Sequence, residues 1–340
     1  MKLVLSQEQQ ELRAAVRDFL RAASPLPKVR DGYDPQVYAR LNGELGLSGL
    51  IVPEEYGGAG AGLAELAVAL EETGAALLPG PFLATAFAAL ALTRVPDKEL
   101  QSGIAEGRAA ATLSTTELPF DGGTVSGTLA QVLSGSEADV LVAPARDGDA
   151  PVLVAVKLAG PGVSRTALET LDLTRDQAKI VLDGAPARVL GPAPESGIFE
   201  RLCVALAAEQ LGVMRAALDA IVAYAKIRVA FGRYIGSYQG VKHKLADMHG
   251  KLEQAESIVR YAAWAADESP EELPEAAALA QAYVGRACFE VARDHLLLHG
   301  GIGYTWEHDA HLFYKRAKAD EVLLGPPRIH RARLAQLLEL

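Results

Sequence analysis

The residues with the most evident chemical potential surround two glycines, Gly232 and Gly236, which interrupt a helical pattern. Arg228 and Arg233 lie at this interruption, and Gln239 follows it. Guanidinium groups donate paired hydrogen bonds to phosphate oxygens, and an amide adds a further donor. The segment therefore suits a diphosphate, although an ordinary corner between two helices also carries glycine and arginine.

A second glycine-rich segment, residues 299–305, follows another helical pattern and reads H-G-G-I-G-Y-T. Glycines such as Gly300 and Gly301 let a backbone approach a ligand closely, because they have no Cβ. A short glycine motif does not identify its ligand by itself. From the residues alone, both phosphate binding and an ordinary structural role stay open for these segments.

Composition limits the possible functions of the 340-residue chain. Half of its residues are hydrophobic and 22% are charged, which predicts two or three packed units and argues against disorder. The formal net charge of -10 argues against nucleic acid and anionic lipid as partners. The N-terminus becomes polar at Ser6, and the longest apolar stretches are shorter than the roughly 20 residues that cross a bilayer. We therefore expect a cytoplasmic protein without a membrane span.

The order of periodic patterns predicts an α+β fold that is mostly helical. Residues 1–110 read as an N-terminal helical domain, which begins with a capping box at Ser6 and Gln9 and has a second helix from Pro35 to Leu45. Residues 111–196 read as a small antiparallel β domain, and 197–340 as a C-terminal four-helix bundle with one helix over 199–230. Cys203 and Cys288 have no metal-binding spacing, so we expect them to be core residues and expect no metal site.

Residues 228–248 resemble the acyl-CoA dehydrogenase pattern R-x-x-F-G-R-x-I-x-x-x-Q-x-x-x-H-x-L-A-D-M at nearly every fixed position. Residues 299–305 are similar to the family's glycine-rich loop, although Leu297 stands where many members have glutamine. Residues 49–60 with Glu71 and Glu72 resemble the N-terminal signature, so the resemblance covers essentially the whole chain. It implies the same three-domain fold, with a four-helix bundle that also mediates oligomerisation.

The resemblance implies FAD as the cofactor, shared across subunits. In the family, the residues that match Arg228 and Phe231 reach FAD that is bound largely by the neighbouring subunit. The glutamine after the turn carries over to Gln239, and the backbone that closes on the adenosine diphosphate half carries over to Gly300 and Gly301. We therefore expect these five residues to bind the cofactor.

The implied reaction is α,β-dehydrogenation of an acyl-CoA thioester. A carboxylate takes the α-proton, and the β-hydrogen leaves as hydride to flavin N5. Aligned with the family pattern, the usual position of this base is Leu324, and an alternative position on the first helix of the bundle is Leu202. Because leucine does not accept a proton, both usual positions lack the base.

Glu209 is the candidate for a displaced base. It lies seven residues after Leu202 in an apolar run, about two turns along the same helix face. A carboxylate there suits a base if burial raises its pKa. The alternative is that Glu209 is paired with a cation from another helix or subunit. We expect Asp320 and Glu321 to be solvated or ion-paired.

The middle domain departs from the family. Only Thr116-Glu117 and Leu118-Pro119 remain of the T-E-P-G-A-G-S-D segment, and Gln131-Val132-Leu133 replaces the W-I-T-like strand. Flavin contacts from this chain's own β domain are therefore in doubt.

Three functions follow from the resemblance. The first is an FAD-dependent acyl-CoA dehydrogenase of fatty acid or lipid catabolism, which acts as a homo-oligomer and uses electron-transfer flavoprotein as acceptor. The second is a non-catalytic structural subunit that completes the FAD site of a homologous catalytic partner in a heterotetramer. The third is oxidase or monooxygenase chemistry on the same flavin scaffold.

Overall fold

A computed structural model describes residues 3–93, 95, 97–193 and 197–340. It contains the helices α1 Gln7–Ala23, α2 Pro35–Leu45, α3 Leu63–Ala75, α4 Phe82–Leu92, α5 Lys98–Ala105, α6 Ile198–Ile227, α7 Gln239–Glu268, α8 Leu273–Leu298, α9 Ala310–Leu323 and α10 Pro327–Leu337. The strands are β1 Ala111–Leu113, β2 Leu118–Asp121, β3 Thr124–Leu133, β4 Val140–Asp147, β5 Ala150–Lys157, β6 Val163–Ala167, β7 Gln177–Pro192, β8 Val229–Ala230 and β9 Arg233–Tyr234. The predicted mostly helical α+β fold is confirmed.

Local sequence explains where the first helices begin and end. Ser6 caps α1 in the predicted capping box. Its hydroxyl accepts a hydrogen bond from the Gln9 N–H, and the Gln9 side chain accepts one from the Ser6 N–H. The bounds of α2 are those predicted, because Asp34 caps its start and Gly46 ends it with a left-handed φ of 60°.

The β region is a seven-stranded sheet in which β1 and β2 each run parallel to β4, while the other pairings are antiparallel. The predicted antiparallel arrangement is therefore wrong for these two pairs. The sheet packs its inward-facing residues into one apolar core around Leu141, Val154 and Ile180, all fully buried. This core gives the β region its own stability.

Contacts divide the described residues into two compact units. The helical unit comprises residues from Met1–Arg30, Leu63–Leu78 and Phe199–Leu340, and the mixed unit comprises residues from Asp31–Gly62 and Pro79–Ile198. The predicted domain limits at 1–110, 111–196 and 197–340 stay predictions, and residues 194–196 at the last limit lie outside the described residues. Within the residues that the structure describes, no helix has the length and hydropathy needed to cross a membrane.

Candidate functional site

The segment after α6 forms a short hairpin, residues 229–234, where β8 pairs with β9. Phe231 and Gly232 at its tip have φ values of 50° and 80°, which is the left-handed pair that a two-residue hairpin turn requires. The predicted helix over 199–230 therefore ends earlier, at Ile227. The Ser237 hydroxyl donates to the Tyr234 carbonyl at 2.6 Å and does not cap α7.

Three predicted cofactor ligands are presented by this hairpin and the start of α7. Phe231 is 98% exposed, and Arg228 and Gln239 are also exposed. Neither the Arg228 side chain nor that of Gln239 has a hydrogen bond or ion pair within the described part of the chain. The guanidinium of Arg233 is instead held over the Tyr238 ring, 3.8 Å from its centroid. The hairpin thus offers a cation, an amide and an aromatic ring to a molecule outside this chain.

The glycine loop, residues 299–305, follows α8 and contains a 3₁₀ segment, Gly300–Tyr304. Gly300 adopts a φ of 67°, and a Cβ on either Gly300 or Gly301 would meet no atom within 4 Å. By contrast, a Cβ on Gly303 would lie 2.6 Å from the Leu296 carbonyl oxygen. Packing within the chain therefore explains why residue 303 is a glycine, whereas the backbone at Gly300 and Gly301 is open to an external ligand.

A ring contact brings the two motifs to the same end of the helical unit. Tyr224 lies in the last full turn of α6, and its carbonyl accepts a hydrogen bond from the Arg228 N–H. Its ring lies 4.5 Å from that of His299, which immediately precedes Gly300. The cationic hairpin and the open backbone of the glycine loop therefore lie on either side of the contact between Tyr224 and His299. This arrangement suits a diphosphate.

Three acids of the helical bundle, Glu200, Glu209 and Glu321, are paired with cations. Glu209 is 3% exposed and accepts a hydrogen bond of 3.2 Å from the fully buried Arg316 of α9. Glu200 pairs with Arg333, and Glu321 pairs with Lys318 at 2.6 Å. The observed contact therefore agrees with the alternative prediction, in which Glu209 is paired with a cation from another helix. Asp320 is only 1% exposed and so is not solvated.

Comparison with known proteins identifies the family. Residues 6–104 match the N-terminal domain of acyl-CoA dehydrogenases, and residues 197–338 match the C-terminal domain. Acyl-CoA dehydrogenase IpdE2 of Mycolicibacterium smegmatis is 35% identical, with 97% of this chain and 98% of that protein covered. The chain belongs to the acyl-CoA dehydrogenase family. It is therefore an oxidoreductase that acts on acyl-CoA and uses FAD, as the resemblance implied.

Other relatives show the range of architectures. Acyl-CoA dehydrogenase FadE34 of Mycobacterium tuberculosis is 38% identical, and the match covers 96% of this chain but only 47% of FadE34, so the chain spans about half its length. The structure of the Tcur3481-Tcur3483 steroid ACAD G363A variant superimposes with a TM-score of 0.90 at 31% identity, covering 98% of both chains. The ChsE4-ChsE5 complex from Mycobacterium tuberculosis gives a TM-score of 0.90 at 26% identity, covering 100% of this chain and 99% of that one.

The residues of this acyl-CoA dehydrogenase fit the diphosphate of FAD. Arg228 supplies a positive charge without a partner in the described chain, and Gly300 and Gly301 expose backbone on which a Cβ would meet nothing. This donor set contains no carboxylate that would repel phosphate. The individual ligand roles of Arg228, Phe231, Gln239, Gly300 and Gly301 remain predictions.

Neither usual base position of an acyl-CoA dehydrogenase holds an acid here. Leu324 directly follows α9 and precedes Gly325, whose φ of 98° marks the sharp turn into α10. Leu202 is buried in α6 with 1% exposure. The chain therefore makes a sharp turn after Leu324 and carries no carboxylate at either position predicted for the base.

The shortened middle segment is structured by contacts of its own. Glu117 forms an exposed ion pair of 2.9 Å with Arg146, and Thr116 donates its N–H to the Ser114 hydroxyl. Leu133 at the end of β3 accepts a hydrogen bond of 2.6 Å from the Thr112 hydroxyl. These contacts stabilise the ends of β1, β2 and β3.

Sequence reasoning missed a buried ion cluster around Glu71, which we call the Glu71 cluster. Glu71 is fully buried in α3 and accepts from Arg13 and Arg215 at 2.9 Å each, and it also pairs with Arg260. Burial alone would raise the pKa of Glu71, but the three guanidinium charges outweigh it and hold the pKa below its usual value. The available signal was an acid pair, Glu71 and Glu72, within the otherwise apolar α3.

Proposed function

We propose that this chain is one subunit of a heteromeric, FAD-dependent acyl-CoA dehydrogenase and that a homologous partner supplies the catalytic base. The reaction is α,β-dehydrogenation of an acyl-CoA thioester. FAD supplies the hydride acceptor for the β-hydrogen. In this proposal the partner's carboxylate takes the α-proton, and this chain binds and orients the cofactor.

The state of the acids carries this proposal. Leucine occupies both family positions for the base, and Glu209 is engaged with Arg316. A carboxylate that neutralises a fully buried arginine is a poor base, because accepting a proton would leave that arginine uncompensated. This contact disfavours the homo-oligomeric alternative, in which Glu209 performs the proton transfer.

Two relatives support a two-component assembly. The Tcur3481-Tcur3483 steroid ACAD variant and the ChsE4-ChsE5 complex are each named for a pair of proteins, and both structures share this fold at a TM-score of 0.90. FadE34 is about twice as long as this chain, which leaves room in one polypeptide for a second unit of similar size. Both observations favour a partner over a self-sufficient subunit.

The side chains without partners indicate what this subunit contributes. The charge of Arg228 binds the diphosphate, and the amide of Gln239 donates a hydrogen bond to it. Phe231, almost wholly exposed here, packs against the cofactor and the partner and excludes water. Gly300 and Gly301 offer backbone N–H groups. In this assembly acyl-CoA is the substrate and electron-transfer flavoprotein is the acceptor.

Flavin content tests the proposal. The chain is purified alone and after co-expression with an acyl-CoA dehydrogenase homologue from the same genome, and FAD is measured by its absorbance. We expect little FAD in the chain alone, and a yellow complex whose flavin is bleached by acyl-CoA. A stoichiometrically yellow single chain that acyl-CoA bleaches would overturn the heteromeric assignment, and rapid reoxidation of the reduced flavin by air would favour an oxidase.

Variants assign the roles within the complex. Arg228→Met should lower FAD affinity by about tenfold to a hundredfold, as expected for loss of one charged hydrogen-bonding group worth about 1.5–3 kcal/mol. Arg233→Met is the matched control, because this neighbouring arginine already stacks on Tyr238. Equal losses of FAD in both variants would contradict the specific role of Arg228.

A further inference from the structure

Three histidine rings lie in a row beneath the glycine loop, and we call His295, His299 and His308 the histidine cluster. Ring centroids are 4.6 Å apart for the first pair and 4.3 Å apart for the second. Tyr224 covers His299, and Phe313 of α9 lies edge-on to His295 at 5.5 Å. The described residues contain no group of three or more His, Cys, Asp or Glu side chains arranged to hold a metal ion.

Hydrogen bonds assign the protonation of one ring nitrogen in each of two of these rings. The Ala310 N–H donates to Nδ1 of His308 at 3.1 Å, so this nitrogen carries no proton. Nδ1 of His299 donates to the His295 carbonyl at 2.8 Å, because a carbonyl oxygen only accepts. A proton added to His308 at Nδ1 would break the bond to Ala310, and one added to His299 would place a charge between the rings of His295 and His308.

The surroundings do not compensate a positive charge on the cluster. Of the acids beside the cluster, Asp294 is already paired with Arg293 and Lys244, and Asp309 with Arg30, while Glu307 is exposed to solvent. The next titratable groups, His311 and Lys315 of α9 and Tyr224 of α6, add no negative charge at neutral pH. His295 is 1% exposed, and neither of its ring nitrogens hydrogen-bonds to another described residue.

The pKa values agree with this geometry. The pKa of His295 is lowered to about 3. Burial is the largest cause of this decrease, and the neighbouring His299 and His308 contribute smaller parts of it. Burial also lowers the pKa of His299. His295 therefore stays neutral well below the pH at which an exposed histidine becomes charged, and the pKa of His299 is shifted in the same direction.

We propose that the histidine cluster positions the glycine loop for FAD and that proton uptake by the cluster releases the loop, which makes FAD retention depend on pH. The argument rests on the proposed function, because it needs FAD at Gly300 and Gly301. His295 and His299 are positioning residues here. They act through the backbone that follows them and make no contact with the cofactor in this proposal.

The sign follows from proton linkage. When the loop opens, the histidines enter water and take up protons near their ordinary pKa of about 6.5, whereas the closed cluster excludes protons. Opening is therefore favoured as the pH falls below about 6.5. Each histidine that is protonated only in the open loop increases the opening equilibrium about tenfold between pH 7.5 and 5.5.

The test measures FAD dissociation constants of the partner complex at pH 7.5 and 5.5. Wild type should bind FAD more weakly at the lower pH, by up to about tenfold for each histidine that takes up a proton on opening. His295→Phe keeps a ring of similar size beside Phe313 and removes no hydrogen bond of the imidazole nitrogens, so its loss of affinity at the lower pH should be smaller than that of wild type, by up to about tenfold. His249→Phe is the control, since the His249 side chain is 65% exposed on α7, and its pH dependence should match wild type.

Hydrogen exchange of residues 299–305, corrected for the intrinsic effect of pH on amide exchange, reports the loop without FAD. Faster corrected exchange at pH 5.5 in wild type but not in His295→Phe supports the histidine cluster even if FAD is bound elsewhere. A complex that binds no FAD at either pH contradicts the proposed function. The histidine proposal is overturned if His295→Phe and wild type share one pH dependence in both measurements, and His299→Phe provides a second variant should the first not fold.

Discussion

The Glu71 cluster predicts that one buried carboxylate makes a large contribution to stability. Glu71→Gln preserves the volume of the side chain and removes its charge. Arg13, Arg215 and Arg260 come from α1, α6 and α7, so this one acid links three helices to α3. Without it, buried guanidinium groups face an amide whose NH₂ group is itself a donor.

The magnitude follows from burial. Glu71 is 0% exposed and Arg260 only 7% exposed, and removing one partner of such a buried pair costs about 3–5 kcal/mol. Glu256, which also pairs with Arg215 and Arg260, offsets only part of the loss. We expect Glu71→Gln to lower the free energy of unfolding by about 3–5 kcal/mol.

Urea unfolding followed by circular dichroism measures this difference at fixed protein and FAD concentrations. Glu44→Gln is the matched control, because its pair with Arg40 is about half exposed on both sides and should contribute less than about 0.5 kcal/mol. If the two variants lie within about 1 kcal/mol of each other, the reasoning about buried charge is refuted.

The difference in free energy of unfolding between wild type and Glu71→Gln should depend on pH with a definite sign. Because the pKa of Glu71 is lowered in the folded protein, its stabilisation is fully present above the ordinary carboxyl pKa of about 4.3 and is lost as the pH falls through the folded value. The gap between wild type and Glu71→Gln should therefore be constant from pH 5 to 8 and close in stronger acid. A gap that widens in acid would contradict the assignment.

Two further predictions concern the site. Gly303→Ala should destabilise the apoprotein by about 1–3 kcal/mol, since its Cβ would lie 2.6 Å from the Leu296 carbonyl oxygen, whereas Gly301→Ala should leave the thermal midpoint unchanged and weaken FAD binding in a titration. Glu209→Gln should cost about 3 kcal/mol by leaving Arg316 uncompensated, without slowing flavin reduction per bound FAD in stopped flow; a slowing of a hundredfold or more would identify Glu209 as the base.

Local sequence predicted those elements whose ends are determined locally. The bounds of α2 followed from Asp34 and Gly46, and the capping box at Ser6 followed from its spacing to Gln9. The predicted end of α6 was wrong by three residues. A phenylalanine with positive φ is uncommon, so no signal in the sequence indicated the turn at Phe231. The parallel pairing of β1 with β4 also depends on contacts that no local pattern specifies.

The candidate site was predictable where a motif carries it and not where distant residues meet. Arg228 and the glycine loop were located by pattern, and the structure adds the Tyr224 contact that places both at one end of the bundle. The partners of Glu71 lie 58 and 144 residues away in Arg13 and Arg215. Pairings over such separations arise from tertiary packing, so the sequence showed an acid in an apolar helix but not its cations.

The exposed hairpin also bears on how the protein has to be produced in a cell. Phe231 at 98% exposure is accompanied by Val229 at 51% and Tyr234 at 56% on neighbouring positions. Clustered apolar side chains of this kind attract chaperones and favour aggregation when nothing covers them. If the proposed partner covers this hairpin, a subunit synthesised in excess of that partner would be held by chaperones or degraded, so the proposal favours balanced synthesis of the two chains.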